Sequence, residues 1–379
     1  MKFTEHDTIF MKAALRLAAR ARGQTTPNPA VGAVIVLDDK IVARGYHRRA
    51  GEDHAEVAAI KNADVPLAGA TMYVTLEPCS HHGRTPPCVD AVREAGIARV
   101  VAAVGDPHRR VNGRGFKNLR EAGIEVDVGL LRDEAIRLNE AFVHFHLTGK
   151  PLMICKWALT LDGQAAAASG DSKWITNERS RRYVHRLRAQ SDAILAGIGT
   201  VLIDNPSLNV RLPNYRGRQP IRIVADAGLR TPLEANCIRA QPGGQTWFLV
   251  TEAARKARVK EFEKLGCRVL KVKGRHPIVD FRSVIALLAR EGVQSLFVEG
   301  GPTIHAALLR DGLCDKIVAF IAPKTVGVRP RYRRNAVYGW GKELMSQALA
   351  LHEVRIRRFG DDVCVQGDCR PWAERFERL

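Results

Sequence analysis

Two α/β domains in series are what this sequence predicts, on three observations. The chain has 379 residues, more than one hydrophobic core usually organises. Short apolar runs of strand length alternate with amphipathic helical stretches along most of it, the order of sheets covered by helices. One break stands out: Leu147-Thr148-Gly149-Lys150-Pro151 ends a helix near His146 with glycine and proline, and a fresh strand follows. The expected domains are residues 1–149 and 150–379.

Composition fixes the class. With 46% hydrophobic and 26% charged residues the chain is globular, since disorder needs less apolar content. No apolar run reaches the roughly 18 to 20 residues that span a bilayer. Met1 to Asp7 lead directly into an amphipathic helix without a signal-peptide core, so a cytoplasmic protein with no membrane partner is expected. Among eight cysteines, Cys364 and Cys369 are close enough in sequence to raise a disulfide, but reduced thiols are the expectation in that compartment. A formal net charge of +19 suits a polyanion, either nucleic acid or phosphorylated substrates and cofactors. Dispersal of the lysines and arginines through both halves favours the second, and no nucleic-acid partner is expected.

The elements follow in order. Ile9, Ala13, Leu17 and Ala21 predict a helix from Thr8 to Ala21, ended by Gly23. Pro27 and Pro29 hold Asn28 in an extended segment as a stiff, pre-aimed amide. Val31 to Leu37 and Ile41 to Tyr46 form a hairpin about Asp38-Asp39. Asp53 is expected to cap a helix whose first turn carries His54 and Glu56. A strand from Thr71 to Leu76 ends at Glu77-Pro78-Cys79, and Cys88 opens a helix to Ala95. A strand from Ala98 to Val104, a helix from Phe116 to Ala122 and a strand from Ile124 to Val128 complete an α-β-β-α-β-α-β-α-β order.

His54, Cys79 and Cys88 can close three sides of a zinc tetrahedron, and Glu56, two residues past the histidine, can handle protons at the open fourth position. Placement near helix N-termini favours thiolate over thiol. A structural zinc knot, with His81 or His82 as fourth ligand, is the alternative.

Beyond Pro151 a strand from Leu152 to Ala158 meets the turn Thr160 to Gly163, and Gln164 to Ser169 is expected to form a short return strand. A helix from Glu178 to Gln190 follows. Further strands are expected at 193–197, 221–225, 246–251, 267–272, 295–299, 316–321, 352–359 and 362–366. Gly300-Gly301, between a strand and a helix expected from His305 to Arg310, can cradle an anion on exposed backbone N–H groups. Without GxGxxG spacing, no Rossmann fold is expected.

The spacer Ser80-His81-His82-Gly83-Arg84-Thr85-Pro86-Pro87, with Asn28-Pro29-Ala30-Val31-Gly32 upstream and Gly105-Asp106-Pro107 downstream, resembles the riboflavin-biosynthesis deaminases. In that family a reductase domain commonly follows. Lys156-Trp157-Ala158, Leu161-Asp162-Gly163, Trp174-Ile175-Thr176, Gly197, Thr200, Asp204-Asn205-Pro206 and Glu299-Gly300-Gly301-Pro302-Thr303 are similar to it. The resemblance implies a cytidine-deaminase-like three-layer α/β/α domain followed by a dihydrofolate-reductase-like α/β domain, with Zn²⁺ and NADPH as cofactors. It implies hydrolytic deamination of a phosphorylated pyrimidine, 2,5-diamino-6-(5-phosphoribosylamino)pyrimidin-4-one, then reduction of its ribose to a ribityl chain, in a homo-oligomer with a dimer favoured.

By the same resemblance Glu56 is the catalytic proton carrier, His54, Cys79 and Cys88 hold the metal, and Asn28 holds the ring. Arg84 and residues around Asp106 and Arg114 are candidates for the ribose phosphate. Ala158, Trp174, Thr200, Asp204 and the loop Gly301, Pro302, Thr303, Ile304, His305, Ala306 and Ala307 face NADPH; Ser172, Arg188, Leu208, Arg211 and Glu299 face the substrate. A guanidinium fork suits Arg188 and Arg211 to phosphate. Lys156 and Asp204 either assist proton transfer or form a structural ion pair. The alternatives are a zinc nucleic-acid deaminase of tRNA type with an appended basic domain, and a zinc-stabilised binding module without catalysis. One departure is the arginine-dense stretch from Thr325 to Arg334, where the family usually runs glycine-rich.

Overall fold

The computed structural model describes residues 3–82, 86–239, 244–327, 335–377 and 379. They form two compact units, Met1–Gly149 with Glu377–Leu379, and Lys150–Phe376.

In the first unit, α1 (Glu5–Ala19) precedes a hairpin of β1 (Gly32–Leu37) and β2 (Lys40–Tyr46). Helices and strands then alternate: α2 (Ala55–Lys61), β3 (Thr71–Val74), α3 (Cys88–Glu94), β4 (Arg99–Ala102), α4 (Arg114–Glu121) and β5 (Glu125–Val128). Helices α5 (Arg132–Leu138) and α6 (Glu140–Thr148) close it. The sheet runs β2-β1-β3-β4-β5, antiparallel around β1 and parallel from β3 onward. Helix α1 starts earlier than its apolar stripe suggests because Thr4 and Asp7 form a capping box, each side chain bonding the other's backbone N–H.

Helix α2 lies so near β2 that a Cβ on Gly45 would stand 2.3 Å from the Ala55 carbonyl oxygen. Only glycine permits that approach, and it seats the helix carrying Glu56 directly on the sheet. Asp53 does not cap this helix. His54 occupies the N-cap without a side-chain cap bond, and Asp53 faces outward to accept from Lys61 Nζ at 2.8 Å.

The second unit begins with β6 (Leu152–Thr160), α7 (Glu178–Ala189), β7 (Ala193–Gly197), α8 (Ile198–Asp204), β8 (Ile221–Ala225), α9 (Asn236–Arg239) and β9 (Thr246–Val250). It continues through α10 (Lys256–Lys264), β10 (Arg268–Lys271), a small hairpin of β11 (Gly274–Arg275) and β12 (Ile278–Val279), α11 (Phe281–Arg290), β13 (Ser295–Val298) and α12 (Pro302–Arg310). β14 (Lys316–Ala322), β15 (His352–Phe359), β16 (Asp362–Asp368) and α13 (Trp372–Phe376) end it. Nine strands form one sheet in the order β10-β9-β8-β7-β13-β6-β14-β16-β15, parallel up to β14 and antiparallel across β16.

Neighbouring residues on the central strands feed opposite core layers. Leu195, Leu249 and Val298 pack on one face, and Ile194, Phe248 and Phe297 on the other. Gln164 to Ser169 is not a strand: Thr160 N–H donates to the Gln164 carbonyl and Ala167 N–H to that of Asp171, so local turns satisfy the backbone. Helix α12 starts at Pro302, three residues before the expected His305, because proline suits the first helical position. The C-terminal segment, for which the sequence suggested no role, forms α13 and buries Trp372 and Phe376. All eight cysteines are free thiols, including Cys364 and Cys369. Among the described residues no helix is long and apolar enough to cross a membrane.

Buried Asp7 ties three elements of the first unit together, accepting from Tyr73 Oη at 2.7 Å and from Arg99 Nη1 at 2.9 Å while Arg99 also reaches Asp127. Burial opposes its charge, but the Thr4 amide, the Tyr73 hydroxyl and the Arg99 guanidinium outweigh it and hold the carboxyl down to about 2. A depressed carboxyl contributes stability that is present above its unfolded value and lost as pH falls through the folded one. Denaturant titrations of the first unit's unfolding should therefore lose stability between about pH 4 and 2, and Asp7→Asn should remove that part of the slope.

Candidate functional site

His54 precedes α2, Cys79 ends the segment after β3, and Cys88 is the first residue of α3. The fold brings them together: His54 Nδ1 lies 3.2 Å from Cys88 Sγ and 3.5 Å from Cys79 Sγ, and the three atoms fall within 4.8 Å of one another. Around one ion with bonds of about 2.0 Å to nitrogen and 2.3 Å to sulfur, tetrahedral geometry places N and S about 3.5 Å apart. The donor set therefore fits Zn²⁺. Among the described residues neither His81 nor His82 joins the cluster, which leaves a fourth position without a protein ligand.

Cys88 N–H donates to Cys79 Sγ at 3.4 Å. The Cys88 thiol and His54 together hold the Cys79 thiol down to about 4 against burial, while Cys88 itself is pushed well above the usual thiol range by Cys79 and by burial. Glu56 is 3% exposed. Burial, and then the negative charge of Cys79, push its carboxyl up to about 7. A cation held by the three ligands acts in the opposite sense on that carboxyl.

Beside this cluster Asn28 Nδ2 meets Nε2 of buried His47 at 3.1 Å, and His47 Nδ1 meets the Asp53 carbonyl at 3.0 Å. The carbonyl requires a proton on Nδ1, so Nε2 accepts from the Asn28 amide and Asn28 Oδ1 is left for a donor on a ligand. Asp106 is pushed up to about 7 by burial and the charges of Glu77, Cys79 and Glu56. Arg114 opens α4. Arg84 lies outside the described residues.

Sequence reasoning missed Glu77. Its buried carboxylate accepts from the backbone N–H groups of Asp106, Gly113, Gly115 and Phe116, at 3.1, 3.0, 2.8 and 3.3 Å. It thus pins the loop holding Asp106 and the start of α4 against the segment that presents Cys79. His47, His108 and His146 also escaped the reading; His108 stacks on His81 with centroids 6.2 Å apart and meets His146 edge-on at 4.8 Å.

In the second unit a cleft of about 470 Å³ opens among β6, α7, α8 and the start of α12. Ala158, Ser172, Trp174, Arg188, Thr200, Asp204, Leu208, Arg211, Glu299, Gly301, Pro302 and His305 all line it. Thr303, Ile304, Ala306 and Ala307 do not. Ile304 and Ala306 are buried, Ala307 packs on the core, and the Ile304 N–H already donates to the Gly301 carbonyl, so these positions turn away from the cleft. A Cβ on Gly300 would stand 2.3 Å from Ala196 Cα, and Gly301 takes φ 57°; the glycine pair lets β13 turn into α12 against β7.

The charged groups sort themselves. Arg188 is 9% exposed and spends its fork on Glu299, with Nη1 donating to the Asn209 carbonyl at 2.9 Å. Despite burial, Arg188 and then Lys156 hold the Glu299 carboxyl down to about 2. Lys156 Nζ lies 3.9 Å from Glu299, and burial lowers its ammonium pKa. Its ion-pair partner is Glu299, not Asp204, which accepts from Ser172 Oγ at 3.2 Å. His185, also missed, is held down to about 4 by burial and by Arg188 and Arg211, and accepts from the Arg211 N–H at 3.2 Å. Exposed Arg211 keeps most of its donors for a ligand, its Nη1 meeting Asn209 Oδ1 at 2.6 Å.

Comparison with known proteins decides between the readings. Residues 151–365 match the family model for the RibD C-terminal domain, and 4–104 match that for the cytidine and deoxycytidylate deaminase zinc-binding region. Riboflavin biosynthesis protein RibD of Escherichia coli is 44% identical over 95% of this chain and 98% of its own. The chain belongs to the RibD family. RibD of Actinobacillus pleuropneumoniae is 41% identical over 95% of this chain and 94% of its own. Acinetobacter baumannii RibD superposes with a TM-score of 0.87 at 35% identity, covering 96% of this chain and 99% of that one. A Thermotoga maritima diaminohydroxyphosphoribosylaminopyrimidine deaminase/5-amino-6-(5-phosphoribosylamino)uracil reductase gives 0.84 at 34% identity, covering 96% and 98%. As a RibD protein the chain is a bifunctional enzyme of riboflavin biosynthesis, a zinc-binding hydrolytic deaminase followed by a reductase of dihydrofolate-reductase-like fold. The nucleic-acid deaminase is not favoured, because the match to RibD runs through both units.

Four backbone donors converge on Glu77, so Glu77→Ala should destabilise the first unit by about 3 kcal/mol or more in denaturant titrations, each unsatisfied buried N–H costing about 1 kcal/mol or more. Zinc retained after dialysis should fall with it, while the second unit's transition stays in place.

Proposed function

We propose that the first unit deaminates the diaminohydroxy pyrimidine carrying a phosphoribosylamino group that is named for the Thermotoga relative, and that the second reduces the ribose of the product with NADPH. The observation that carries this reading is the His54, Cys79 and Cys88 triangle with buried Glu56 beside it, in a chain similar to RibD over nearly its whole length.

His54, Cys79 and Cys88 hold the zinc, which when bound supplies an activated water at the ring carbon bearing the amino group. Glu56 takes a proton from the attacking water, passes it to the ring nitrogen, and returns a proton to the departing ammonia. Asn28 Oδ1, fixed by His47, accepts from an N–H of the pyrimidine. Asp106 and Arg114 border the ribose phosphate.

NADPH supplies the hydride in the second unit. Ala158, Trp174, Thr200, Asp204 and the loop from Gly301 to Ala307 bind it, the last where β13 turns into α12. Ser172, Leu208 and Glu299 shape the substrate side. Because the fork of Arg188 is committed to Glu299, Arg211 takes the phosphate and Arg188 fixes Glu299. Lys156, beside Glu299 in the cleft, donates the proton that accompanies the hydride. A dimer is favoured by the outer strand β15, where Val354 and Ile356 are 50% and 68% exposed on an edge that no described residue pairs. A cytoplasmic setting agrees with eight free thiols.

Glu56→Gln should lower ammonia release by about 10² to 10⁴-fold while zinc content and NADPH oxidation with the deaminated substrate stay unchanged. An active Glu56→Gln protein would remove the carboxylate from the mechanism. Arg211→Ala should raise the KM for the phosphorylated substrate about 10 to 100-fold, as loss of a charge-assisted contact does, with the KM for NADPH within about twofold.

A further inference from the structure

The net charge of the chain is unevenly divided. Residues 150–376 hold 38 lysines and arginines against 21 aspartates and glutamates, a formal +17, while the first unit comes to +2. Both units handle a phosphorylated pyrimidine under the reading above, so the substrate phosphate does not account for the difference. The second unit alone takes a dinucleotide carrying three phosphates.

Helix α7 supplies four of those seventeen charges within twelve residues, carrying Arg179, Arg181, Arg182, Arg186 and Arg188 against the single acid Glu178. One face of the helix, through Arg181, His185 and Arg188, lines the cleft. Arg179, Arg182 and Arg186 lie three and four residues apart on an exposed stripe. Arg182 pairs with Glu178 at 3.0 Å, but the side chains of Arg179 and Arg186 make no hydrogen bond or ion pair with a described residue. Like charges at this spacing repel and weaken a helix, so stability gives no reason for the stripe. A helix with its side chains is about 10 Å across, close to the Debye length of about 8 to 10 Å at moderate salt. The stripe is therefore felt at the mouth of the cleft.

We propose that the exposed arginine face of α7 is a capture surface that steers the polyphosphorylated dinucleotide into the reductase cleft. It rests on the NADPH reading of that cleft. Arg179 and Arg186 do not touch the bound cofactor; they raise its rate of arrival, and so act on association rather than on turnover.

The test is stopped-flow binding of NADPH to the full chain, across salt from about 20 mM to 0.5 M, where the Debye length falls from about 20 Å to about 4 Å. Arg179→Glu/Arg186→Glu should lower the association rate constant about tenfold at low salt, with the dissociation rate unchanged, and the difference should vanish at high salt. Arg179→Lys/Arg186→Lys, which keeps the charge, should behave as the unsubstituted chain. Deamination, and the turnover of NADPH oxidation at saturating cofactor, should be unaffected in both variants, showing that both units are folded. An association rate indifferent to charge reversal, or a defect that persists at high salt, would overturn the proposal. Absence of saturable NADPH binding by the unsubstituted chain would instead remove the reductase reading, and this proposal with it.

Discussion

One imidazole and two thiols from three separate places in the chain have to meet within the space of a single ion, and much of the first unit is arranged by that requirement. The parallel strands β3 and β4 bring the segment after β3, the start of α3 and the N-cap of α2 to the same end of the sheet. Gly45 lets α2 sit on β2 without a side chain between them, which fixes both His54 and Glu56. Glu77, next to Pro78 and Cys79, uses its carboxylate to hold the Asp106 loop and the start of α4 through four backbone N–H groups. Glu56 instead sits two residues past His54, with burial raising its carboxyl. Two glutamates of equal burial thus differ in what their oxygens meet: Glu77 is a structural clamp, and Glu56 is the proton carrier of the proposed mechanism.

The second unit solves a different problem, that of placing cations near anionic ligands without neutralising them. Arg188 and Glu299 form a buried pair, and removing either partner would strand a charge at high cost. That pair organises the cleft floor, with Lys156 as a third charge at 3.9 Å. Arg211 is exposed and bonded to Asn209, and in the proposed mechanism it takes the phosphate. The glycine pair at 300–301 turns β13 into α12 at the edge of the cleft.

The clustering of His54, Cys79 and Cys88 with Glu56 beside them was legible because local spacing carried it, with Glu56 only two residues past His54. Strands of the second unit were legible for the same reason, as apolar runs bounded by turns. Partners distant in sequence were not. Nothing near Glu77 announces that it bonds residues 29 to 39 positions away, nor does Arg188 announce Glu299, 111 positions on. The Asp53 cap and the strand at Gln164 to Ser169 failed on local competition: Lys61 drew Asp53 outward, and turn bonds satisfied the second segment before a sheet edge could. The loop residues Thr303 to Ala307 were assigned to the cofactor by resemblance, while the fold turns the side chains of Ile304 and Ala306 into the core.

The central claim is that one polypeptide carries two chemically independent sites working in series. The direct measurement follows ammonia release and NADPH oxidation together on the diaminopyrimidine substrate, with and without removal of zinc by a chelator. Equal molar yields of ammonia and oxidised NADPH, loss of both on chelation, and rescue of NADPH oxidation alone by the deaminated product are the results predicted. NADPH oxidation by the chelated enzyme without added deaminated product, or failure of that product to restore it, would contradict the account.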